Sequence, residues 1–218
     1  FKNKISSFNI YNKEVINIYL RQKGNDVRCG STVKEWTKVI RFLIKKDFFI
    51  LLTGDTPIDR FPIDIRENIY SHNNMKISKN IFSLCAPYFS DYCISEQGGG
   101  QFLGMVMNKP LLLVNCWQIW GCGGTDFYIL FKNLINTKTK KVIKLENIFK
   151  TFFWSSDVPI NHKLKCNTSK QLIEAFSEFH ELVNNQSKDL LLFENLDNEM
   201  KYSWGAVSKS KLISSNNF

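Results

Sequence analysis

The chain has 218 residues, 44% hydrophobic and 22% charged, and its 29 Lys and Arg against 20 Asp and Glu leave a formal charge of +9 at neutral pH. This composition supplies one packed core with appendages and excludes a disordered or fibrous chain. The longest apolar runs, Phe48 to Leu52 and Leu111 to Val114, fall far short of the roughly 20 residues a spanning helix needs, so a soluble or at most peripheral protein is expected.

Residues 1–13 are polar and irregular, and the start at Phe1, with neither an initiator Met nor a signal-peptide pattern, suggests a piece of a longer protein. Val15, Ile16, Ile18 and Leu20 form a β-branched run ending at Arg21, which reads as a buried strand. From Ser31 to Lys46 the apolar positions Val33, Trp36, Val39, Ile40, Leu43 and Ile44 recur every three or four residues, with Ser31 or Thr32 as N-cap. That spacing predicts an amphipathic helix. Phe48 to Thr53 predicts a second strand, closed by Gly54-Asp55 and Pro57. Strand, helix, strand is the unit of a parallel sheet.

The alternation continues with a predicted helix over 77–89 stopped near Pro87, a strand at Asp91 to Ser95, a helix at Gln101 to Met107 and a strand at Leu111 to Asn115. Apolar strands in repeated units of this kind predict a doubly wound, mostly parallel α/β sheet covered on both faces. Further on come a glycine loop (Gly121, Gly123, Gly124), a charged turn at Lys138 to Lys141, a short helix at Leu145 to Lys150 and a clearer one over 169–184. The expected organisation is a linker over 1–13, a Rossmann-like domain over 14–150 and a helical extension over 151–218.

Ser95-Glu96-Gln97-Gly98-Gly99-Gly100 lies directly after a predicted strand and before a predicted helix. Bare glycine amides at a helix N-terminus converge donors and partial positive charge on an anion. A tight turn that needs glycine for its backbone angles alone is the competing reading. The triplet is neither the Walker pattern nor Gly-x-Gly-x-x-Gly. Arg21 and Arg28 fall at the same sheet edge, where guanidinium groups pair with diphosphate, or else Arg28 pairs with Asp26 or Glu35 on the surface and Arg21 merely flanks the strand. Gly54 and Asp55 end the second strand at that edge, to hold a sugar or ribose hydroxyl or simply to turn. Trp117 and Trp120 offer a stacking surface or an aromatic plug. The histidines His72, His162 and His180 form no relay or metal triad, so no metal site and no cofactor is expected. The six cysteines lack Cys-x-x-Cys spacing and read as buried thiols in a reducing cytosol. The positive charge accompanies a general Lys, Asn, Ile and Phe bias, so it argues only weakly for nucleic acid.

Taken together, Tyr19-Leu20-Arg21, Asp26-Val27-Arg28, Leu51-Leu52-Thr53-Gly54-Asp55, Asp91 to Gly100 and Lys109-Pro110-Leu111-Leu112-Leu113-Val114-Asn115 resemble the nucleotide-sugar half of a GT-B glycosyltransferase. The likeness is to bacterial surface-polysaccharide transferases with fucosyltransferase-like motifs, and Trp204 to Phe218 resembles that family's C-terminal end. The family's His-x-Arg stands here as Tyr19-Leu20-Arg21, and of its Tyr-Arg-Asn only Arg28 carries over. The resemblance implies a metal-independent transferase in which Arg21 and Arg28 stabilise the leaving diphosphate. Gly54, Asp55, Ser95, Glu96, Gln97 and Gly98 to Gly100 would bind the donor. It implies a nucleotide-sugar donor, a glycan or glycolipid acceptor, an acceptor-binding N-terminal domain upstream, and a cytoplasmic location at or near the inner face of a membrane. Two other readings compete: a non-catalytic nucleotide-sugar or carbohydrate-binding module, and a nucleic-acid-binding domain using Lys132 to Lys150.

Overall fold

The computed structural model describes residues 12–21, 27–117, 127–152, 157–185 and 211–212. In chain order, β1 (Val15–Leu20) leads to α1 (Val33–Lys45) and β2 (Phe49–Gly54). A 3-10 turn (Ile58–Arg60), the single-turn α2 (Ile63–Arg66) and the short β3 (Ile69–Tyr70) follow. Next come α3 (Lys79–Phe89), β4 (Tyr92–Glu96), α4 (Gly99–Val106) and β5 (Leu111–Cys116). The chain continues through β6 (Phe127–Phe131), β7 (Asn133–Asn136), α5 (Leu145–Phe152), β8 (His162–Lys165), α6 (Ser169–Asn184) and β9 (Lys211–Leu212).

Seven strands form one sheet in the order β3-β2-β1-β4-β5-β6-β9, every neighbouring pair parallel. The expected α/β doubly wound architecture is therefore the observed one. Successive strand residues feed two different cores, as a pleated sheet requires. Ile16, Ile18, Leu20, Ile50, Leu52, Ile94, Leu112 and Val114 pack with Trp36, Ile40 and Leu43 of α1 and Phe176 and Phe179 of α6. On the other face, Val15, Phe49 and Leu51 meet Phe82 and Ala86 of α3, while Cys93, Leu111, Leu113 and Ile129 meet Met105 of α4 and Ile148 of α5. Both faces are covered, so the strands read as unbroken apolar runs.

Thr32 caps α1 by accepting from the Glu35 N–H, and the Glu35 carboxylate in turn accepts from the Ser169 N–H at the start of α6. That bond, with the Ser169 hydroxyl, holds the Glu35 carboxyl below its ordinary range.

Three local expectations change. Helix α3 begins after its Ser78 cap and runs through Pro87 to Phe89. A proline in the last turn leaves only one nearby carbonyl without its helical partner, so the helix ends shortly after it instead of at it. The sequence pattern predicts none of strands β3, β6, β7, β8 and β9, and β7 and β8 form an antiparallel hairpin. Segment 151–218 thus contributes strand as well as helix, and α6 is an integral wall of the main core.

Candidate active site

The strand order reverses between β1 and β4: the chain moves outward to β2 and β3 on one side and to β5 and β6 on the other. Helices leaving two such strands diverge, opening a crevice beyond the carboxyl ends, which is where open parallel sheets bind ligands. In register, Tyr19 of β1 lies beside Ser95 of β4, so Arg21 and Gly98 emerge together at the crevice.

Alternation along β1 puts Tyr19 and Arg21 on one face, and that face meets the start of α4. The Arg21 Nη1 lies 2.6 Å from where a Cβ at Gly98 would stand, and the Tyr19 ring lies 2.2 Å from where one at Gly100 would stand. Gly100 is therefore demanded by the protein's own packing, whereas at Gly98 the atom met is the flexible end of the Arg21 side chain. Gly99 differs: among the described residues nothing, Arg28 included, lies within 4 Å of its Cβ position. The Gly98 N–H is taken by Gln101 Oε1, and the Gln101 N–H by the Gly98 carbonyl. Burial raises the Tyr19 phenol above its ordinary value, opposed by the Arg21 charge and by a bond from the Gly100 backbone. Tyr19 is the site residue that sequence reasoning passed over. Its position, two before Arg21 on a strand, was the available signal.

Glu96 is placed otherwise than as a donor ligand. It is 1% exposed. Its Oε2 accepts from the Arg21 N–H at 2.7 Å, and its Oε1 from the Ser31 N–H at 2.8 Å, the Trp36 indole at 2.9 Å and the Asn115 amide at 3.2 Å. The carboxylate is a clasp joining β4 to the β1–α1 loop, to α1 and to β5. Gly30 is glycine because a Cβ there would lie 1.8 to 2.1 Å from this carboxyl group. Asn115 reaches the clasp by adopting the left-handed conformation, φ 55°, which asparagine tolerates better than most residues. It also exchanges hydrogen bonds with Asn167, each backbone N–H donating to the other side chain at 2.9 and 2.7 Å.

Burial pushes the Glu96 carboxyl up to about 7, although all four donors favour its anion. An unfolded chain ionises this group near 4.5 and the folded one near 7, so between those values the folded state keeps a proton the unfolded state has lost. The part of the stability linked to this proton is thus fully present below about pH 4.5, declines as pH rises, and is gone above about 7, a loss on the order of 3 kcal/mol. Melting temperatures measured from pH 4.5 to 8 should show this decline in the wild type and lack it in Glu96→Gln; identical profiles would reject it.

Ser95 and Gln97 are buried too. Ser95 Oγ donates to the Glu96 carbonyl at 3.0 Å, and Gln97 Oε1 accepts from the Trp117 N–H at 3.0 Å. Trp117 is a buried plug in the second core, with no acceptor for its indole N–H among the described residues. Trp120 lies outside the described residues. Gly54 has φ 100°, and a Cβ would sit 2.2 Å from the Leu20 carbonyl, so the β1–β2 crossing requires glycine. Asp55 is exposed at the edge, its N–H donating to that carbonyl at 3.1 Å. Arg28 is exposed in the loop closed by the Gly30 N–H to Arg21 carbonyl bond of 3.2 Å. The structure brings Arg21, Tyr19 and the α4 N-terminus together and leaves Arg28 elsewhere on the same rim.

Lys132, first of the lysines assigned to a basic surface, is instead 1% exposed, its Nζ donating to the Val27 carbonyl at 2.8 Å. A depression of about 430 Å³ on the outer side of α1, lined by Lys34, Thr37, Lys38, Arg41 and Arg60 among others, shares no residue with the crevice. Among the described residues, no group of three or more His, Cys, Asp or Glu is placed to hold a metal ion, and no helix is long and apolar enough to cross a membrane.

A seven-stranded parallel sheet with a crevice at its switch point defines the Rossmann-like class of α/β proteins. Within that class the chain is similar in fold to two solved glycosyltransferases. One is E. coli ADP-heptose LPS heptosyltransferase II, at TM-score 0.51 and 10% identity over 85% of this chain and 52% of that one. The other is a glycosyl transferase family 9 protein from Veillonella parvula DSM 2008, at TM-score 0.52 and 11% identity over 82% of this chain and 49% of that one. The chain spans about half the length of each. A glycosyltransferase-like fold is the expected one, whereas neither match is named a fucosyltransferase. No family model and no curated protein matches the chain.

Proposed function

We propose that this chain is the donor-binding half of a glycosyltransferase that takes a nucleoside diphosphate sugar. The observation that carries the reading is Arg21 lying against Gly98 at the switch point, where a guanidinium meets the N-terminal end of α4 at one crevice. An eight-residue helix ends there, and its N-terminal dipole and the cation both stabilise charge developing on a departing diphosphate. Gly99, with open space at its Cβ position, is where a phosphate oxygen approaches the backbone. Arg28 and Asp55 stand on the same rim to meet the distal phosphate and a sugar or ribose hydroxyl. No metal is required by this arrangement, because cation and amides supply the charge stabilisation themselves. The heptosyltransferase likeness, named for an ADP-linked sugar, supports a donor of this class. A glycan or glycolipid acceptor would be held by a further domain, in keeping with fold relatives about twice as long.

The test is a thermal-shift panel of UDP-, GDP-, ADP-, CMP- and dTDP-sugars on the intact protein. A donor at a hundred times its Kd should stabilise the fold by about 2.7 kcal/mol; a panel without any shift sinks the reading. Gly99→Ala sharpens it. The new methyl meets no atom of the described residues, so the melting temperature should stay within about 2 °C of wild type. Nucleoside diphosphate affinity measured by calorimetry should fall at least tenfold. Equal affinity would mean that no phosphate approaches that amide.

A further inference from the structure

We infer that Cys29 and Cys166 form a dithiol that closes to a disulfide under a peroxide oxidant, tying the loop that carries Arg28 to the start of α6. The two residues are 137 apart in sequence, yet their Sγ atoms lie 3.8 Å apart, and the Cys166 thiol donates to the Cys29 carbonyl at 3.5 Å. A disulfide needs about 2.05 Å, so the sulfurs must close by less than 2 Å. Both residues are half-buried, unlike Cys93 and Cys116, which are enclosed by the core. A small oxidant therefore has access.

The neighbours assign the roles. The Lys132 Nζ lies 3.8 Å from Cys29 Sγ, so a basic side chain faces the sulfur taken here as the attacking one. Burial pushes the Cys166 thiol up to about 12, which keeps it protonated as the resolving partner. The Cys29 thiolate attacks one oxygen of hydrogen peroxide; the O–O bond breaks, and hydroxide leaves and becomes water with the proton that Cys29 gave up on ionising. The product is a sulfenic acid. Cys166 sulfur then attacks the Cys29 sulfur, the S–O bond breaks, and a second water leaves carrying the Cys166 proton. Two thiols are oxidised by two electrons, and one peroxide becomes two waters. The bridge would fasten the β1–α1 loop to the Asn167 junction, at the rim where Arg28 stands. Neither the bridge nor its test depends on what Arg28 binds.

The intact protein is treated with one equivalent of hydrogen peroxide, quenched, alkylated and digested without reduction. A peptide joining Cys29 to Cys166 is expected, with an intact mass lower by about 2 Da. Closing a loop this long should raise the melting temperature by on the order of 10 °C, reversed by dithiothreitol. Cys29→Ser and Cys166→Ser should each abolish the bridge, and Cys85→Ser should keep it. A map that joins other cysteines, or that finds Cys29 over-oxidised while Cys166 is alkylated, overturns the inference.

Discussion

Glu96→Ala should lower the unfolding free energy by about 3–5 kcal/mol, the range for breaking a buried charged or multiply bonded group. The variant strands the N–H groups of Arg21 and Ser31, the Trp36 indole and the Asn115 amide, all directed into the volume the carboxyl filled. Glu96→Gln keeps an acceptor for the three donors on Oε1 and sets an amide nitrogen against the Arg21 N–H, so its cost should be nearer 1–3 kcal/mol. Gly30→Ala attacks the clasp from the other side, since its methyl would overlap the carboxyl group at 1.8 to 2.1 Å. Urea denaturation at fixed pH measures all three. An alanine variant within 1 kcal/mol of wild type would mean that Glu96 does not hold these four segments together.

Arg21→Ala should weaken nucleoside diphosphate binding by about 10- to 150-fold, the value of a charge-assisted hydrogen bond, and lower sugar transfer by about 100- to 1,000-fold if the guanidinium also meets charge developing on the leaving group. The residue's bond to Glu96 uses its backbone N–H, which alanine keeps, and urea denaturation of the variant reports separately any stability its side chain supplies. Arg21→Lys retains the charge and loses the fork, so it should fall between the two. Calorimetry and transfer assays on matched preparations decide it, and wild-type affinity in Arg21→Ala would remove Arg21 from the site. The bond to the clasp uses the Arg21 backbone and the proposed ligand contact its guanidinium, so substitutions at Glu96 and Arg21 should separate stability from binding.

Much of the frame was legible in the chain. The run Val15 to Leu20, the three-and-four spacing of Trp36, Val39, Ile40 and Leu43, and the glycines after Glu96 are local patterns, and local patterns fix strands, helices and turns. The alternation of strand and helix makes the sheet parallel, and so places Arg21 and Gly98 at its carboxyl edge. Strands β7 and β8 were not legible, because four-residue segments such as His162–Lys165 carry too few apolar side chains to declare a period.

What the glycines and the carboxylate are for was decided only in three dimensions. Local sequence shows that Gly98, Gly99 and Gly100 open a helix; it does not show that Arg21 and Tyr19 crowd the first and last and leave the middle one open. Glu96 looks like an exposed acid at a strand end until residues 60 and 65 positions away, Trp36 and Ser31, donate to it. Cys29 and Cys166 lack any sequence motif and meet across 137 positions. The reason is the same in each case. Propensity and periodicity act over a few residues, whereas desolvation, collision and hydrogen-bond satisfaction depend on neighbours that the chain supplies only after the sheet has gathered its distant segments.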